Sequence, residues 1–372
     1  ASITARGSDP GRAATDPKLL LALWLYAAVE GVGNGRELNR LCREHDAYKW
    51  LCGGVAMNYH TLNDFRVGHA QALDDLFSGV LATLLHHDVV KVHRASQDGT
   101  RVRASAGSSS FRRKPGLEER LAEARAHVEA LKQQGDEVPA ESARKRAAQE
   151  RAARERADRL EAALAEFPKI EEMRSRQRKA KRDKHREARV STTDPDARKM
   201  KMSNGGFNPA YNVQIAADTE SRAILAIDVT NHGCDSGEDQ GLRDQIKRRT
   251  GQKLKEQLLD GGYTDLKGIE QARRDGVDIY MPLPKTAGEG QICKASQGDP
   301  PGVAAWRQRM DSEESKTIYK LRASTSETVN ADLKSFRGLH ALTVRGLSKV
   351  RCAVLWSALA YNVMHFARVL VT

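Results

Sequence analysis

The sequence predicts an α/β protein, in which a mixed sheet carries helices on its faces and a long helical insertion interrupts the sheet. Three observations lead to this class. Apolar residues recur at helical spacing over residues 16–87, which predicts a helical N-terminal domain. Residues 117–188 are almost entirely Ala, Glu, Arg and Lys, which is typical of solvated helices. Residues 208–282 alternate segments of strand type with segments of helical type, the order of a sheet with flanking helices.

The N-terminal domain is expected to begin with a helix at Asp16-Pro17, since Asp is a good N-cap and Pro suits the first helical position. The glycines of residues 31–35 end this helix, a second helix follows, and a third helical stretch opens at His60. Compact helical modules joined by glycine turns occur in DNA-binding domains and also in ordinary bundles. DNA binding is the expected role of residues 1–87, and an ordinary bundle stays open as the alternative.

Residues 89–103 alternate enough to form the first strand, with Asp98 near its end. In the insertion that follows, residues 135–139 separate two helices that we expect to form an antiparallel hairpin. Its last part, residues 174–189, holds nine Lys or Arg residues, so that contact with DNA and simple solvation are both open. The predicted boundaries are 88–112 for the first part of the sheet domain, 113–200 for the inserted basic helical hairpin and 201–372 for the remainder.

Strand and helix signals resume after the insertion. Tyr211, Val213 and Ile215 alternate with other residues along a strand at 208–218, and a turn at 219–222 leads to an apolar partner strand, which predicts a hairpin. The elements expected beyond it are a helix at 237–250, a strand at 254–259 followed by Asp260, a helix at 267–275, a strand at 277–282, a loop at 288–301 and a C-terminal helix at 350–371.

The charge balance favours a polyanionic partner. The formal net charge is +12 and the pI is about 9.5. Each Lys or Arg that neutralises a phosphate releases a condensed counterion, so such a balance suits nucleic acid. An Arg-rich, solvated surface from a high-GC genome is the alternative explanation.

Cysteine spacing and hydropathy indicate the cellular compartment. The five cysteines lack paired spacing, which indicates a reducing compartment and no disulfide framework. No apolar run approaches the roughly 18 residues of a membrane span, and no basic-then-apolar leader opens the chain. We therefore expect a cytoplasmic protein without a membrane partner. Since the chain starts at Ala1 without an initiator Met, we expect a fragment or a processed form.

Three carboxylates stand in contexts suited to metal-dependent phosphate chemistry. Asp98 precedes a Gly turn, Asp260 follows a strand, and Glu327 lies on a later helix. An Asp followed by Gly is first of all a turn former, so the ordered set carries the interpretation. If the two strands are neighbours, both Asp side chains emerge at one edge of the sheet. Such a set could hold a pair of Mg²⁺ ions that clamp the attacking and leaving oxygens of a phosphodiester, as in nucleases, polymerases and DNA transposases.

Basic and aromatic residues flank Glu327. Lys334 is seven residues further on and so shares its helical face, where it could hold a phosphate. Arg322 is five residues before Glu327, which is the wrong face of a continuous helix, so we expect it in the loop before the helix, gripping a phosphate. Tyr319 could hydrogen-bond a phosphate or stack on a displaced base. The alternative is that Tyr319 belongs to the core and the two basic residues to the surface.

Four ordered motifs carry a resemblance that covers nearly the whole chain. They are Asp98-Gly-Thr, the segment Asn-Pro-Ala-Tyr-Asn-Val-Gln at 208–214, Leu-Asp-Gly-Gly-Tyr at 259–263 and Tyr319-x-x-Arg322…Glu327…Lys334. Together with Val-Arg-Gly-Leu-Ser-Lys-Val-Arg at 344–351 they resemble the DDE transposases of bacterial insertion sequences, in particular those with a Tyr-Arg-Glu-Lys motif. The resemblance implies an RNase H-like catalytic domain, with Asp98, Asp260 and Glu327 as ligands of Mg²⁺, for which Mn²⁺ substitutes. It also implies that Tyr319, Arg322 and Lys334 contact phosphates at the transposon ends.

The function implied is excision and integration of an insertion sequence by a bacterial, nucleoid-associated transposase. Its partner is double-stranded DNA, both the terminal inverted repeats and the target, and the family resemblance implies a homodimer on DNA. Two departures are visible: four residues separate Arg322 from Glu327 where the motif usually has three, and less chain precedes the helical region than is usual. The alternatives are an inactive or truncated remnant that only binds DNA, and a helical scaffold without affinity for DNA.

Overall fold

The computed structural model describes residues 14–133, 140–175, 187–284, 295 and 297–371. The predicted turn at 135–139, most of the basic stretch at 174–189 and most of the loop at 288–301 lie outside the described residues. The chain divides into two compact units, one of residues 1–102, 212–343 and 348–372 and the other of residues 103–211 and 344–347.

The first unit opens with helices α1 (Pro17–Val29), α2 (Gly35–Glu44), α3 (Asp46–Cys52), α4 (Tyr59–Gly68) and α5 (Ala70–His86). The start of α1 is the one predicted: Asp16 Oδ1 accepts a hydrogen bond from Lys18 N at 2.8 Å, and Pro17 is the first helical residue. Trp24 Nε1 donates to Leu62 O at 2.8 Å and ties α1 to α4. The stretch predicted as one third helix is two, α4 and α5, because the backbone leaves the helical conformation between them.

The strands are β1 (Arg94–Arg103), β2 (Phe111–Arg112), β3 (Val190–Ser191), β4 (Arg198–Lys201), β5 (Phe207–Asp218), β6 (Ile224–Thr230), β7 (Glu256–Leu258) and β8 (Asp278–Tyr280). The main sheet has the order β4-β5-β1-β7-β8, and β6 also pairs with β5. Strands β1, β7 and β8 run parallel, whereas β5 is antiparallel to β6. Thr219 N donates to Arg94 O and Ala104 N to Pro209 O, so β1 and β5 are also antiparallel. The sheet is therefore mixed.

The later helices of the first unit are α9 (Asp239–Thr250), α10 (Leu266–Arg274), α11 (Pro301–Met310), α12 (Glu313–Ser335), α13 (Leu347–His365) and α14 (Ala367–Leu370). Trp306 on α11 is fully buried and donates from Nε1 to Met281 O at 3.0 Å, just beyond β8. Asn362 on α13 exchanges two 2.9 Å hydrogen bonds with the backbone of Ile224 on β6. The C-terminal helix thus packs on the domain, as the sequence predicts.

The second unit contains helices α6 (Lys114–Gln133), α7 (Ala140–Ala165) and α8 (Phe167–Ser175) together with β2 and β3. Buried Leu117 and Leu121 of α6 share one apolar cluster with Leu160 of α7. Arg125 and Glu161 form an ion pair across the two helices at 2.7 Å. These contacts are those of the antiparallel hairpin that the sequence predicts for the insertion.

The predicted fold class is confirmed. The mixed sheet with flanking helices, preceded by a helical N-terminal region, is consistent with the RNase H-like domain that the resemblance implies. The exact domain boundaries stay predictions. Among the helices that the structure describes, none combines the length and the hydropathy needed to cross a membrane.

Candidate active site

Two of the predicted carboxylates meet at one edge of the sheet. Strands β1 and β7 pair in parallel, and the last residues in register are Ser96 and Leu258. Continued for two residues, the same register sets Asp98 beside Asp260. The sequence predicted that Asp98 ends its strand. In the structure β1 continues to Arg103 along its other neighbour, β5. The two carboxylates lie just beyond the point where β7 ends.

Asp98 is the electrostatic centre of this site. Burial raises the pKa of its carboxyl group from an ordinary 3.8 to about 6, Arg322 opposes the rise, and Asp260 and Asp235 add to it. Arg322 Nη1 lies 3.6 Å from Asp98 Oδ1, and Asn330 Nδ2 donates to Asp98 Oδ2 at 3.0 Å. The site therefore concentrates negative charge that one guanidinium only partly balances.

Helix α12 supplies the groups that face Asp98. Arg322, Ser326, Asn330 and Lys334 follow one another at four-residue spacing and so line one side of the helix. Ser326 Oγ lies 2.6 Å from Ser96 Oγ on β1, which fixes the helix against the strand. Burial lowers the pKa of Lys334, and the charge of Asp98 works against that effect. Asp98 thus accepts a hydrogen bond from Asn330 and lies within ion-pair distance of Arg322, both on α12.

The expectation that Arg322 precedes the helix is wrong. Helix α12 is continuous from Glu313 to Ser335, because Ser312 caps its start and neither Gly nor Pro interrupts it. Since Arg322 and Glu327 are five residues apart, they do take different directions, as expected for a continuous helix. It is Arg322 that the helix directs towards Asp98.

The remaining predicted residues are Tyr319 and Glu327. Tyr319 packs partly buried against the apolar cluster around Trp306, so the core interpretation holds for its ring. Its hydroxyl nonetheless interacts with Arg322. The pKa of Tyr319 is raised mainly by burial, and the charges of Asp98 and Asp260 add to the rise. Glu327 is exposed and makes no hydrogen bond or ion pair with the described residues. At about 100° per residue it lies only about 20° around the helix from Lys334, at the margin of the face that meets Asp98.

A further carboxylate, Asp235, was missed by the sequence analysis. It follows β6 and is almost fully buried, with 9% of its side chain exposed. Its Oδ1 accepts hydrogen bonds from Asn212 Nδ2 at 2.7 Å and Gln214 Nε2 at 2.8 Å, and its Oδ2 pairs with Arg101 at 2.9 Å. A signal was available: two polar residues that alternate along a buried strand, here Asn212 and Gln214, require a buried partner.

Glycines at the site leave room for these carboxylates. A Cβ atom on Gly99 would collide with the Asp235 carboxylate and with the amide of Gln214. A Cβ on Gly262 would lie 2.9 Å from Asp260 Oδ1 and 3.7 Å from Asp235 Oδ2. The glycines that follow Asp98 and Asp260 therefore allow close approach as well as a turn.

Beneath the site runs a network of buried glutamines, one from each of three neighbouring strands. Gln257 on β7 donates to Gln97 Oε1 on β1 at 2.7 Å, and Gln97 donates to Gln214 Oε1 on β5 at 3.0 Å. The chain of bonds continues to Arg243, whose Nη1 lies 2.7 Å from Gln257 Oε1, and Arg243 is paired with Asp239. A connected buried network of this kind holds its strands in one arrangement.

The donor set at the sheet edge suits a hard divalent cation. Among the described residues, no three His, Cys, Asp or Glu side chains are grouped closely enough to hold a metal ion as they stand. Mg²⁺, however, keeps several waters and is usually held by one or two carboxylates together with substrate phosphates. Asp98 and Asp260 supply two such carboxylates in register. The residues present therefore fit Mg²⁺ at this pair.

Two family models match the chain. A family model described as a transposase DDE domain matches residues 176–363, which include Asp260 and the whole of α12. A second model, described as a transposase domain (DUF772), matches residues 1–67, the helical N-terminal region. Searches of curated proteins and of solved structures gave no match. The Tyr-Arg-Glu-Lys motif itself stays a prediction.

Proposed function

The chain belongs to the transposase DDE-domain family of insertion-sequence transposases, and on this premise we propose that it cuts DNA at the ends of its element and joins those ends to a target by Mg²⁺-dependent chemistry. The observation that carries the proposal is the register of β1 and β7, which aligns Asp98 with Asp260. Aspartates aligned in this way at a strand end provide oxygen ligands directed at one site.

Asp98 and Asp260 are the proposed metal ligands, with Glu327 as the third. When bound there, Mg²⁺ or Mn²⁺ supplies Lewis-acid activation of the attacking oxygen and neutralises charge on the leaving oxygen. Glu327 has no partner to give up among the described residues, and it lies at the margin of the α12 face that meets Asp98. A change of its side-chain rotamer towards that face is the movement that the proposal requires of it.

The basic residues of α12 are proposed to position DNA. Buried Arg322 Nη1 has no hydrogen-bond partner in the described parts of the chain and lies 3.6 Å from Asp98, so it can meet a phosphate beside the carboxylates. Lys334 is half-buried near Asp98 and offers a second positive charge. The Tyr319 hydroxyl, beside Arg322, offers a hydrogen bond. Positioning and charge neutralisation by such groups account for most of the catalysis in phosphoryl transfer.

Asn330 and Ser326 are proposed to hold the geometry rather than to react. The Asn330 amide fixes one oxygen of Asp98 at 3.0 Å and leaves the other towards Arg322. Ser326 fixes α12 to β1 through Ser96. These bonds limit the rotamers of Asp98 before any ligand arrives, which reduces the cost of ordering the site.

Double-stranded DNA is the proposed partner, as terminal inverted repeats and as target, with two copies of the chain bridging two ends. The net charge of +12 supports affinity for a polyanion. The rival function is DNA binding without cleavage by an inactive remnant. One observation favours it: Glu327 is not grouped with the two aspartates among the described residues.

A nicking assay decides between them. A supercoiled plasmid that carries the element's ends is incubated with the protein and Mg²⁺, and the chain is compared with its Asp98→Asn and Asp260→Asn variants. Of these three proteins, we expect only the natural chain to nick the plasmid, whereas all three should retain binding to the ends. Asp244→Asn is a matched control, since Asp244 is an exposed carboxylate of α9 outside the site. Binding without nicking by the natural chain would favour the remnant.

A further inference from the structure

A basic pocket lies in the second unit. Its volume is about 370 Å³, and buried Leu160 of α7 contributes to its lining. The polar lining consists of four arginines and two threonines, namely Arg120, Arg156, Arg159, Arg345, Thr192 and Thr193. Among the described residues no carboxylate joins this lining, so its polar part presents positive charge and hydroxyl groups.

The arginines of the pocket are poorly neutralised. Arg120 and Arg156 make no hydrogen bond or ion pair with the described residues. Arg159 has Glu155 only at 3.9 Å. Other arginines of the same hairpin are paired: Arg125 with Glu161 at 2.7 Å is an example. The pocket is therefore a local excess of positive charge that the part of the chain described by the structure does not compensate.

Backbone hydrogen bonds hold the far side of the pocket. Thr192 N donates to Ser110 O at 3.0 Å and so fixes the segment after β3. The segment that carries Arg345 is fixed by two carboxylates, because Gly346 N donates to Asp194 at 3.1 Å and Leu347 N to Asp196 at 2.8 Å.

Arg345 itself is also oriented. Its Nε donates to Ser105 O at 3.0 Å, which leaves the terminal nitrogens of the guanidinium without a hydrogen bond in the described residues. Arg120 lies on α6 and Arg156 on α7, the two helices whose buried residues share the apolar cluster of the hairpin. The basic groups thus converge from separate, well-anchored segments, which distinguishes the pocket from a scatter of surface charges.

We propose that this pocket binds a backbone phosphate of double-stranded DNA, as a contact separate from the residues of α12. The inference rests on the proposed function, because that function supplies the ligand, double-stranded DNA. A guanidinium binds phosphate through two parallel hydrogen bonds, and four of them with hydroxyl groups can surround one phosphodiester. The pocket recognises phosphate and sugar rather than bases, so its contribution to affinity is independent of DNA sequence.

The test compares DNA binding by two double variants of equal charge. Arg120→Gln with Arg156→Gln removes two pocket charges; Lys145→Gln with Arg151→Gln removes two exposed charges of α7 that do not line the pocket. Affinity for a duplex is measured by fluorescence anisotropy over a series of salt concentrations. We expect the pocket variant to lose about tenfold or more in affinity for the duplex. The slope of log affinity against log salt concentration should fall in magnitude by about 0.9, the value for one phosphate contact. The control variant should lose clearly less affinity.

Several outcomes would overturn the assignment. Equal losses in the two double variants would mean that only overall charge matters, and the pocket would not be a site. Displacement of DNA from the natural chain by micromolar inorganic phosphate would identify a small-anion site instead. Failure of the natural chain to bind any duplex would refute the proposed function itself, a result distinct from failure of the pocket alone. Thermal unfolding of each variant, followed by circular dichroism, shows whether the fold is retained, and Arg120→Lys with Arg156→Lys should keep an intermediate affinity in a folded protein.

Discussion

Asp98 and Asp260 occupy equivalent positions in a parallel pair of strands, each two residues beyond the last pair in register, Ser96 and Leu258. The backbone thus sets the two carboxylates side by side, and the charge of Asp260 adds to the cost of ionising Asp98. A site that concentrates negative charge in this way is stable only with a compensating cation, which Arg322 partly provides. The same crowding supports the proposal that the site binds a divalent ion.

The first prediction concerns pH and the stability of the metal-free protein. The folded state raises the pKa of Asp98 to about 6, chiefly through burial, so at pH well below the ordinary 3.8 the group is protonated whether the chain is folded or not. As the pH rises towards 6, the unfolded chain ionises first and the free energy of unfolding falls, by about 3 kcal/mol for a rise from 3.8 to about 6. Asp98→Asn cannot ionise and should escape this loss.

Urea unfolding in the presence of a chelator measures the effect. The stability of Asp98→Asn relative to the natural chain should increase between pH 4 and pH 7. A difference that stays constant over this range would show that Asp98 is not held in a destabilising environment.

The second prediction concerns Gly99. A Cβ at this position would strike the Asp235 carboxylate and the Gln214 amide, so Gly99→Ala should destabilise the protein by about 1–3 kcal/mol through overpacking. Gly241→Ala is the control, because a Cβ on that helical glycine meets nothing within 4 Å and should be neutral or slightly stabilising. Denaturant midpoints give both values, and equal stabilities for the two variants would refute the close approach.

The third prediction concerns Asp235. Its removal leaves Arg101, Asn212 and Gln214 without their buried acceptor, so Asp235→Ala should cost about 3–5 kcal/mol. The exposed pair of Arg125 and Glu161 provides the comparison, since loss of a surface pair costs about 1 kcal/mol or less. Unfolding of Asp235→Ala and Glu161→Ala by urea should show this contrast; similar small losses would mean that Asp235 is not a structural acceptor.

The fourth prediction separates catalysis from stability at Glu327. Because this side chain is exposed and unpartnered among the described residues, Glu327→Gln should change the free energy of unfolding by no more than about 0.5 kcal/mol. The proposed metal role nevertheless requires the variant to lose cleavage while it retains DNA binding. Thermal unfolding and plasmid nicking are measured on one preparation. Nicking at the natural rate would remove Glu327 from the site.

Local patterns were sufficient for much of the fold. Asp16-Pro17 marked the start of α1, and alternation along β5 marked the hairpin with β6. The meeting of Asp98 and Asp260 was also predicted from their places on two neighbouring strands, although Asp98 lies within β1 rather than after it. The start of α12 was not recognised, although Ser312 is a good N-cap, and this placed Arg322 wrongly in a loop.

Asp235 shows where local reading fails. It lies in an irregular segment between β6 and α9, where an Asp among glycines is typical of a turn. Its role depends on Asn212, Gln214 and Arg101, which lie on β5 and β1 and meet it only in the folded sheet. The partners are separated from it by 23, 21 and 134 residues, beyond the range of any local pattern.

The central claim is that Asp98 and Asp260 are metal ligands, and a change of metal preference tests it most directly. A thiolate is a softer ligand than a carboxylate and binds Mg²⁺ poorly, whereas Mn²⁺ tolerates it better. Asp98→Cys and Asp260→Cys should therefore fail to nick the plasmid with Mg²⁺ and should recover nicking with Mn²⁺, while the Asp→Ala variants stay inactive with both ions. Nicking by either Cys variant with Mg²⁺ at the natural rate, or by either Ala variant, would contradict the assignment.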